Sequence, residues 1–152
     1  MDQKEFKEFY RTIQDVAEHP VVLRMKNYPH HGNTSCYKHC MRVAYLNYIL
    51  CKKFHLDARS AARAGMMHDL FLYDWHTHAR ETGERLHGLT HAEKAYHNAG
   101  KIFHLNRIER DVIRNHMWPV TLRSMPKTWE GWMIVLTDKY SGLLETVNRK
   151  KK

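Results

Sequence analysis

The chain has 152 residues, a length suited to one domain that buries roughly 70% of its extended-chain surface. Hydrophobic residues make up 43% and charged residues 27%, as in ordinary globular proteins. No apolar run is long enough to cross a membrane, and the N-terminus does not resemble a signal peptide. We therefore expect a cytoplasmic protein. The net charge of +9 suits an anionic partner, either a phosphorylated small molecule or nucleic acid.

The first third of the chain predicts two helices joined by a loop. Residues 3–18 carry apolar side chains at helical spacing and predict an amphipathic helix. A short apolar piece and a loop follow. The loop residues His30 and His31 could reach a metal, but loop histidines are more often polar surface, and we interpret them so. Ser35 or its neighbour Thr34 can cap a second helix that ends near residue 54.

Capping residues mark further helix starts along the chain. Asp57 can cap a third helix over 58–67. The polar stretch 76–88 predicts a loop that is a candidate lid, and a capping box at Thr90 then predicts the start of a fourth helix. Asn106 repeats the capping signature for a fifth helix, and a final helix is expected to begin near residue 128.

No strand-like alternation of useful length appears, so the sequence predicts an all-α fold. We expect one domain over 1–152, built as a single bundle of six or seven helices around a central metal site. Its expected parts are an N-terminal helical extension (1–30), a metal-binding core (31–142) and a basic tail (143–152).

Six histidine and aspartate residues fall on or at the ends of the predicted helices: His39, His68, Asp69, His91, His116 and Asp138. Spread over five helices, they can converge only inside the bundle, where facing helices build metal sites. Imidazole and carboxylate ligands suit Fe, Mn, Co, Ni or Zn, with Mg a further candidate. Six ligands exceed what one catalytic ion usually takes, whereas two ions bridged by a carboxylate would use them all. A hydroxide between two ions is a strong nucleophile, and both ions can hold a phosphate oxygen.

Two other ligand choices stay open at this point. Cys36 and Cys40 flank His39, so thiolate ligation is conceivable, but no second cysteine pair completes a zinc site. Together with Cys51 they lie on one predicted helix, which argues for reduced thiols rather than a disulfide framework. His87 is the alternative to His91 as a ligand if its loop folds inward, but the capped helix start favours His91.

The order His39, His68-Asp69 and Asp138, the last within Leu-Thr-Asp-Lys-Tyr, resembles the HD-domain metal-dependent phosphohydrolase superfamily over about residues 39–140. With His91 and His116 included, the chain resembles the six-ligand, two-metal subset. That subset contains bacterial HD-type hydrolases of symmetrical diadenosine tetraphosphate and, more distantly, HD-GYP cyclic-dinucleotide phosphodiesterases. The Gly-Lys step and the Gly-Tyr-Pro triplet of the HD-GYP proteins are missing, which argues against cyclic-di-GMP cleavage.

The resemblance implies one metal held by His39, His68, Asp69 and Asp138, with Asp69 bridging to a second held by His91 and His116. It implies hydrolysis of a phosphoester or phosphoanhydride, on a nucleotide or dinucleotide. Besides Asp69, we assign catalytic roles to Lys139, near the scissile phosphate, and to Asp74, as a proton relay; helix capping or a salt bridge is the alternative role of Asp74. Other candidates for the phosphate-binding cation are Arg42, Lys94 and Arg123.

Two other classes of function are considered. Some HD-superfamily members use a similar ligand set for di-iron oxygenation, and sequence does not separate them from hydrolases. A non-catalytic binding module for nucleic acid or an acidic partner is disfavoured, because no nucleic-acid-binding motif is present.

Overall fold

The structure, a computed structural model, describes residues 2–83 and 86–149, except for the side chains of 75, 76, 79, 87, 148 and 149. Within these ranges the chain forms eight α-helices and no β-strand, which confirms the all-α prediction. The helices are α1 (Gln3–Ala17), α2 (Pro20–Leu23), α3 (Cys36–Lys53), α4 (Ala58–Met67), α5 (Trp75–Thr82), α6 (His87–Ile102), α7 (Arg107–Asn115) and α8 (Trp129–Arg149). A 3₁₀ turn, Arg24–Asn27, follows α2.

Helix α4 is the centre of the bundle, packed against α1, α3, α6, α7 and α8. Its small residues Ala61, Ala62, Ala64 and Gly65 are buried, which allows neighbouring helices to pack closely against it. At Gly65 the approach is tightest, because a Cβ atom there would lie 2.9 Å from the Cα of Ala44 on α3. The two helices therefore pack backbone against backbone directly beside the site residues that each carries.

Three predicted helix starts are confirmed by their caps. The side chain of Ser35 accepts a hydrogen bond from the backbone N–H of Lys38 at the start of α3. Asp57 accepts from the backbone N–H of Ser60 at 2.9 Å, which begins α4. Asn106 and Glu109 form the predicted reciprocal capping box of α7. Each cap satisfies backbone donors that have no partner within the helix.

The predictions for 76–88 and for the number of helices are wrong in detail. Helix α5 occupies most of the predicted loop, and α6 begins at His87 rather than after Thr90. The Thr90 hydroxyl donates to the backbone carbonyl of Leu86 at 3.2 Å, so Thr90 lies inside the helix and does not cap it. Helix α5 and the four-residue α2 raise the count to eight. Helix α8 also continues through the predicted basic tail to Arg149, which brings Glu145 into the bundle.

Candidate metal centre

The six predicted ligands lie together in the interior of the bundle. His39 projects from α3, His91 from α6 and Asp138 from α8, while His68 with Asp69 and His116 directly follow α4 and α7. The side chains of His39, His68 and His116 are fully buried, and that of Asp69 is 5% exposed. The packing of these helices thus brings residues separated by up to 99 positions into hydrogen-bonding distance.

The two oxygens of Asp69 face two different groups of imidazoles. Oδ2 lies 3.4 Å from Nε2 of His68 and 3.8 Å from Nε2 of His39. Oδ1 lies 3.3 Å from Nε2 of His91 and 3.5 Å from Nε2 of His116. Asp138 joins the first group, because its Oδ1 is 3.0 Å from Nε2 of His39 and 3.5 Å from Nε2 of His68. Asp69 therefore stands between two sets of donor atoms, as a bridging carboxylate does.

Hydrogen bonds to helix-end carbonyls fix the orientation of two rings. Nδ1 of His68 donates to the carbonyl of Gly65 at 2.7 Å, and Nδ1 of His116 donates to the carbonyl of Ile113 at 2.8 Å. Both histidines are the C-cap residues of their helices and use a carbonyl three positions earlier. A carbonyl can only accept, so each Nδ1 must carry a proton. This arrangement directs Nε2 into the cluster and favours its lone pair there, the form in which histidine binds metals.

Several nitrogen and oxygen atoms that can bind a metal lie close together in the centre of the cluster. Nε2 of His91 lies 3.0 Å from Nε2 of His116. Nε2 of His68 and Oδ1 of Asp69 are buried without a hydrogen-bond partner among the described residues. Burying lone pairs without a positive partner is costly. The donor set therefore fits a divalent cation, and groups drawn from these residues have ligand atoms within 4.8 Å of one another.

The carboxylates of the cluster are held in their ionised form. Burial would raise the pKa of Asp69, but the charge of His68 and contacts with three more histidines hold it well below its ordinary value. Burial opposes ionisation of Asp138 too, and the hydrogen bond with His39, together with the nearby imidazole of His68, keeps its pKa well below the usual range. Two buried anions thus demand positive charge at this point, whether as protons on imidazoles or as metal ions.

The structure places two further residues, His30 and Glu145, against the predicted ligands. Neither was predicted from the sequence to belong to the site. His30 is only 8% exposed, so its interpretation as polar surface is wrong. Its Nε2 lies 3.1 Å from Oδ2 of Asp69. Glu145 contacts Nδ1 of His30 at 3.2 Å and Nδ1 of His39 at 3.1 Å, and it accepts a hydrogen bond from Arg42 at 2.9 Å. Arg42, a predicted candidate for binding phosphate, is thus paired with this buried carboxylate.

The remaining predicted catalytic residues lie further out. Lys139 lines a cavity next to the cluster, and its Nζ donates to the backbone carbonyl of Trp118 at 2.8 Å. Asp74 directly precedes α5, and its backbone carbonyl accepts a hydrogen bond from the N–H of His78 at 2.9 Å. Asp74 is not among the described residues that line this cavity. The side chain of His87, the alternative ligand, lies outside the described residues.

The other basic candidates are spread around the bundle. Lys94 lies over the ring of Tyr73, with Nζ 5.0 Å from the ring centroid, and 3.4 Å from Nε2 of His78. Arg123 lines a different depression, together with Arg110. Among the predicted basic residues within the described ranges, Lys139 is therefore the one that lines the cavity beside the cluster.

The cysteines beside the cluster are neutral thiols. All three are free and buried. Burial raises the pKa of Cys40 well above its ordinary value. The Cys36 thiol donates to the backbone carbonyl of Asp69 at 3.3 Å, so it supports the site through the main chain. Cys36, Cys40 and Asp69 also have ligand atoms within 4.8 Å of one another. The six predicted ligands themselves are imidazoles and carboxylates, a set that suits Fe, Mn, Co, Ni or Zn.

A cavity of about 440 Å³ opens onto the cluster. His30, Asp69, His91 and Asp138 contribute to its lining. Its apolar lining comes from Phe71, Met117, Val120 and Leu143. Pockets for small ligands typically combine apolar surface with a few convergent polar groups in this way.

No protein-family model, curated protein or solved structure matches the chain. No helix in the described ranges is long and apolar enough to cross a membrane.

Proposed function

We propose that this protein is a metal-dependent phosphohydrolase whose centre holds two divalent ions. The observation that carries the proposal is the division of the Asp69 oxygens between two sets of imidazoles. His39, His68 and Asp138 would hold one ion with Oδ2, and His91 and His116 would hold the second with Oδ1. When bound, such a pair of ions supplies a water-derived nucleophile at neutral pH and neutralises phosphate charge.

The chain supplies the surroundings that this chemistry needs. Lys139 uses one of its ammonium hydrogens on the Trp118 carbonyl, which leaves two for an anionic oxygen of a substrate. That hydrogen bond fixes the ammonium group at the cavity, where it would position a phosphate. The buried carboxylate and imidazole groups are already oriented before substrate arrives, so little reorganisation is needed during the reaction.

The cavity supports a nucleotide or dinucleotide as substrate. Its volume of about 440 Å³ lies within the range of small-molecule sites. Phe71 and Met117 give it apolar surface beside the ligand cluster, which suits a base attached to a phosphate. The net charge of +9 favours an anionic substrate over a neutral one.

The test combines metal analysis with a panel of phosphate substrates. Protein purified without chelator or affinity-tag nickel is analysed by mass spectrometry, and phosphate release is measured from nucleotides, dinucleotides and other phosphoesters. We expect about two equivalents of metal in the wild type. In His68→Ala and Asp69→Asn, metal content should fall and activity should drop by at least about 100-fold. His104→Ala, at an exposed position, is the control and should match the wild type.

Circular dichroism establishes that each variant is folded before its activity is compared. Full activity in both folded variants would contradict the proposal, as would a wild type that binds no metal under any loading condition. Substrate-dependent oxygen consumption by the iron-loaded protein, without phosphate release, would instead identify a di-iron oxygenase.

A further inference from the structure

The loop before α3 holds His30 in a defined position. The backbone N–H of His30 donates to the carbonyl of Thr34 at 2.8 Å, and that of Cys36 donates to the carbonyl of Tyr28 at 2.8 Å. Gly32 allows the tight turn between them because its φ is 61°, a left-handed value that favours glycine. The loop is therefore closed on itself by main-chain hydrogen bonds, which place His30 reproducibly against the cluster.

The imidazoles of His30 and His39 form a parallel pair. Their ring centroids are 3.6 Å apart and their planes differ by 20°. Nδ1 of each ring contacts a different oxygen of Glu145, at 3.2 Å and 3.1 Å. One carboxylate thus accepts from both rings, and both Nε2 atoms lie towards Oδ2 of Asp69, at 3.1 Å and 3.8 Å.

We propose that His30 is a seventh ligand of the metal centre, oriented by the same carboxylate, Glu145, that orients His39. This inference rests on the metal centre of the proposed function. Metal-binding histidines typically donate their other ring N–H to a carboxylate, which fixes the tautomer and makes the binding nitrogen more basic. Glu145 provides that acceptor for both rings. The ligand atoms of His30, His39 and Asp69 are also close enough together to hold one ion.

Arg42 completes the support of this pair. Its guanidinium donates to the same oxygen of Glu145 that contacts His39, at 2.9 Å. Hydrogen bonds to an ionised carboxylate are strong, and they restrict its rotation. Glu145 is therefore held as an acceptor, and its two oxygens remain directed at the two rings.

A seventh ligand increases the difference between the two metal positions. On the Oδ2 side of Asp69, the structure collects His30, His39, His68 and Asp138. On the Oδ1 side it collects only His91 and His116 among the described residues. The second side leaves more coordination positions for other oxygen atoms. Substrate phosphate would therefore bind there, beside the part of the cavity that His91 lines.

The experiment is a titration of metal-free protein with Co²⁺, followed by visible absorption and by competition with a chromophoric chelator. We expect His30→Ala to weaken the tighter site by about 10–100-fold and to change the Co²⁺ spectrum, because water replaces an imidazole. His104→Ala, at an exposed position away from the cluster, is the control and should keep the wild-type affinity and spectrum. His30→Gln provides a second variant should His30→Ala fold poorly.

The sign of the effect separates ligation from a simple ion pair. If His30 acts only as a cation beside Asp69 and Glu145, its removal takes away a competing positive charge, and Co²⁺ binding stays equal or becomes tighter. That result, with an unchanged spectrum, would overturn the proposal. Weaker binding in folded His30→Ala with a changed spectrum supports it, even if no phosphate substrate is found. A wild type that binds no Co²⁺ would overturn this inference and the proposed metal centre together.

Glu145→Gln tests the positioning role independently. A glutamine offers one acceptor oxygen and one NH₂ group, so it can accept from only one of the two Nδ1–H groups. The other ring then loses its acceptor, and we expect Co²⁺ affinity to fall by about 10–100-fold. Unchanged affinity in the folded variant would remove Glu145 from this role.

Discussion

Glu145 and the buried histidine His30 shift each other's pKa in opposite directions. The side chain of Glu145 is only 1% exposed, which would raise the pKa of the carboxyl, yet hydrogen bonds from His30 and His39 lower that pKa from 4.5 to about 2. Burial likewise disfavours charge on His30, but Asp69 and Glu145 raise its pKa to about 10. In metal-free protein these groups therefore form a network of ion pairs that stabilises the fold near neutral pH.

The stability of metal-free protein should fall in acid through Glu145. A depressed carboxyl pKa contributes stability that is complete above the unfolded-state value of 4.5 and is lost as the pH falls towards about 2. The wild type should therefore have a higher free energy of unfolding than Glu145→Gln. We expect this margin to be about 1–2 kcal/mol larger at about pH 6 than at about pH 3. Urea unfolding in the presence of chelator measures this. A difference between the two proteins that does not change with pH would contradict the assignment.

At the scale of secondary structure, two helix ends place histidines in the same way. His68 follows α4 and His116 follows α7, and each ring donates to a carbonyl of the last turn. The C-terminal end of a helix carries partial negative charge and exposes carbonyls without partners, so it suits a cationic site. Both ends point into the bundle because α4 and α7 pack against each other.

These elements also show what sequence could and could not predict. The sequence predicted that His39 lies on a helix and points into the bundle with the other five ligands, and capping residues gave the starts of α3, α4 and α7. His30 lies in a loop without periodicity, so no pattern indicated that it is buried. Glu145 carries no local signal of its partner His30, because the two are 115 positions apart. Contacts of this kind come from packing.

The close packing of α3 and α4 can be tested at Gly65. A Cβ there would lie 2.9 Å from the Cα and 3.2 Å from the N of Ala44, and backbone atoms cannot move aside without shifting a helix. Gly65→Ala should therefore lower the free energy of unfolding by about 1–3 kcal/mol. It should also weaken metal binding, since α4 leads into His68 and Asp69 while α3 carries His39. Urea unfolding and a Co²⁺ titration measure the two effects.

Gly100 on α6 provides the matched control. No atom lies within 4 Å of a Cβ built at this position, so alanine meets no obstacle. Because alanine has the higher helix propensity, Gly100→Ala should raise the free energy of unfolding by about 0.5–1 kcal/mol. If both variants changed stability in the same direction, steric contact between α3 and α4 would not be the cause.

At the scale of the whole molecule, the candidate metal centre and an ion-pair cluster link α4 to other helices at different points. Arg63 on α4 is buried and donates to Glu109 on α7 and to Asp15 on α1. The site residues come from the loop before α3, from α3, α6 and α8, and from the ends of α4 and α7. Arg63 thus ties α1 and α7 to the central helix, whereas the site connects that helix to α3, α6 and α8.

Metal binding should therefore stabilise the entire bundle rather than one loop. A ligand that binds only the folded state adds about 2.7 kcal/mol when its free concentration is 100 times its Kd. For a chain of this size, that corresponds to a rise in Tm of about 5–10 °C. Differential scanning calorimetry with and without Co²⁺ should show a single transition that moves upwards with metal. In Asp69→Asn the shift should disappear, because the carboxylate between the two sets of imidazoles has lost its charge.

A metal-dependent second transition, with the first unmoved, would show that the centre stabilises only part of the chain. In that case the long-range contacts of His30 and His39 with Glu145 would not be what couples α8 to the rest of the bundle.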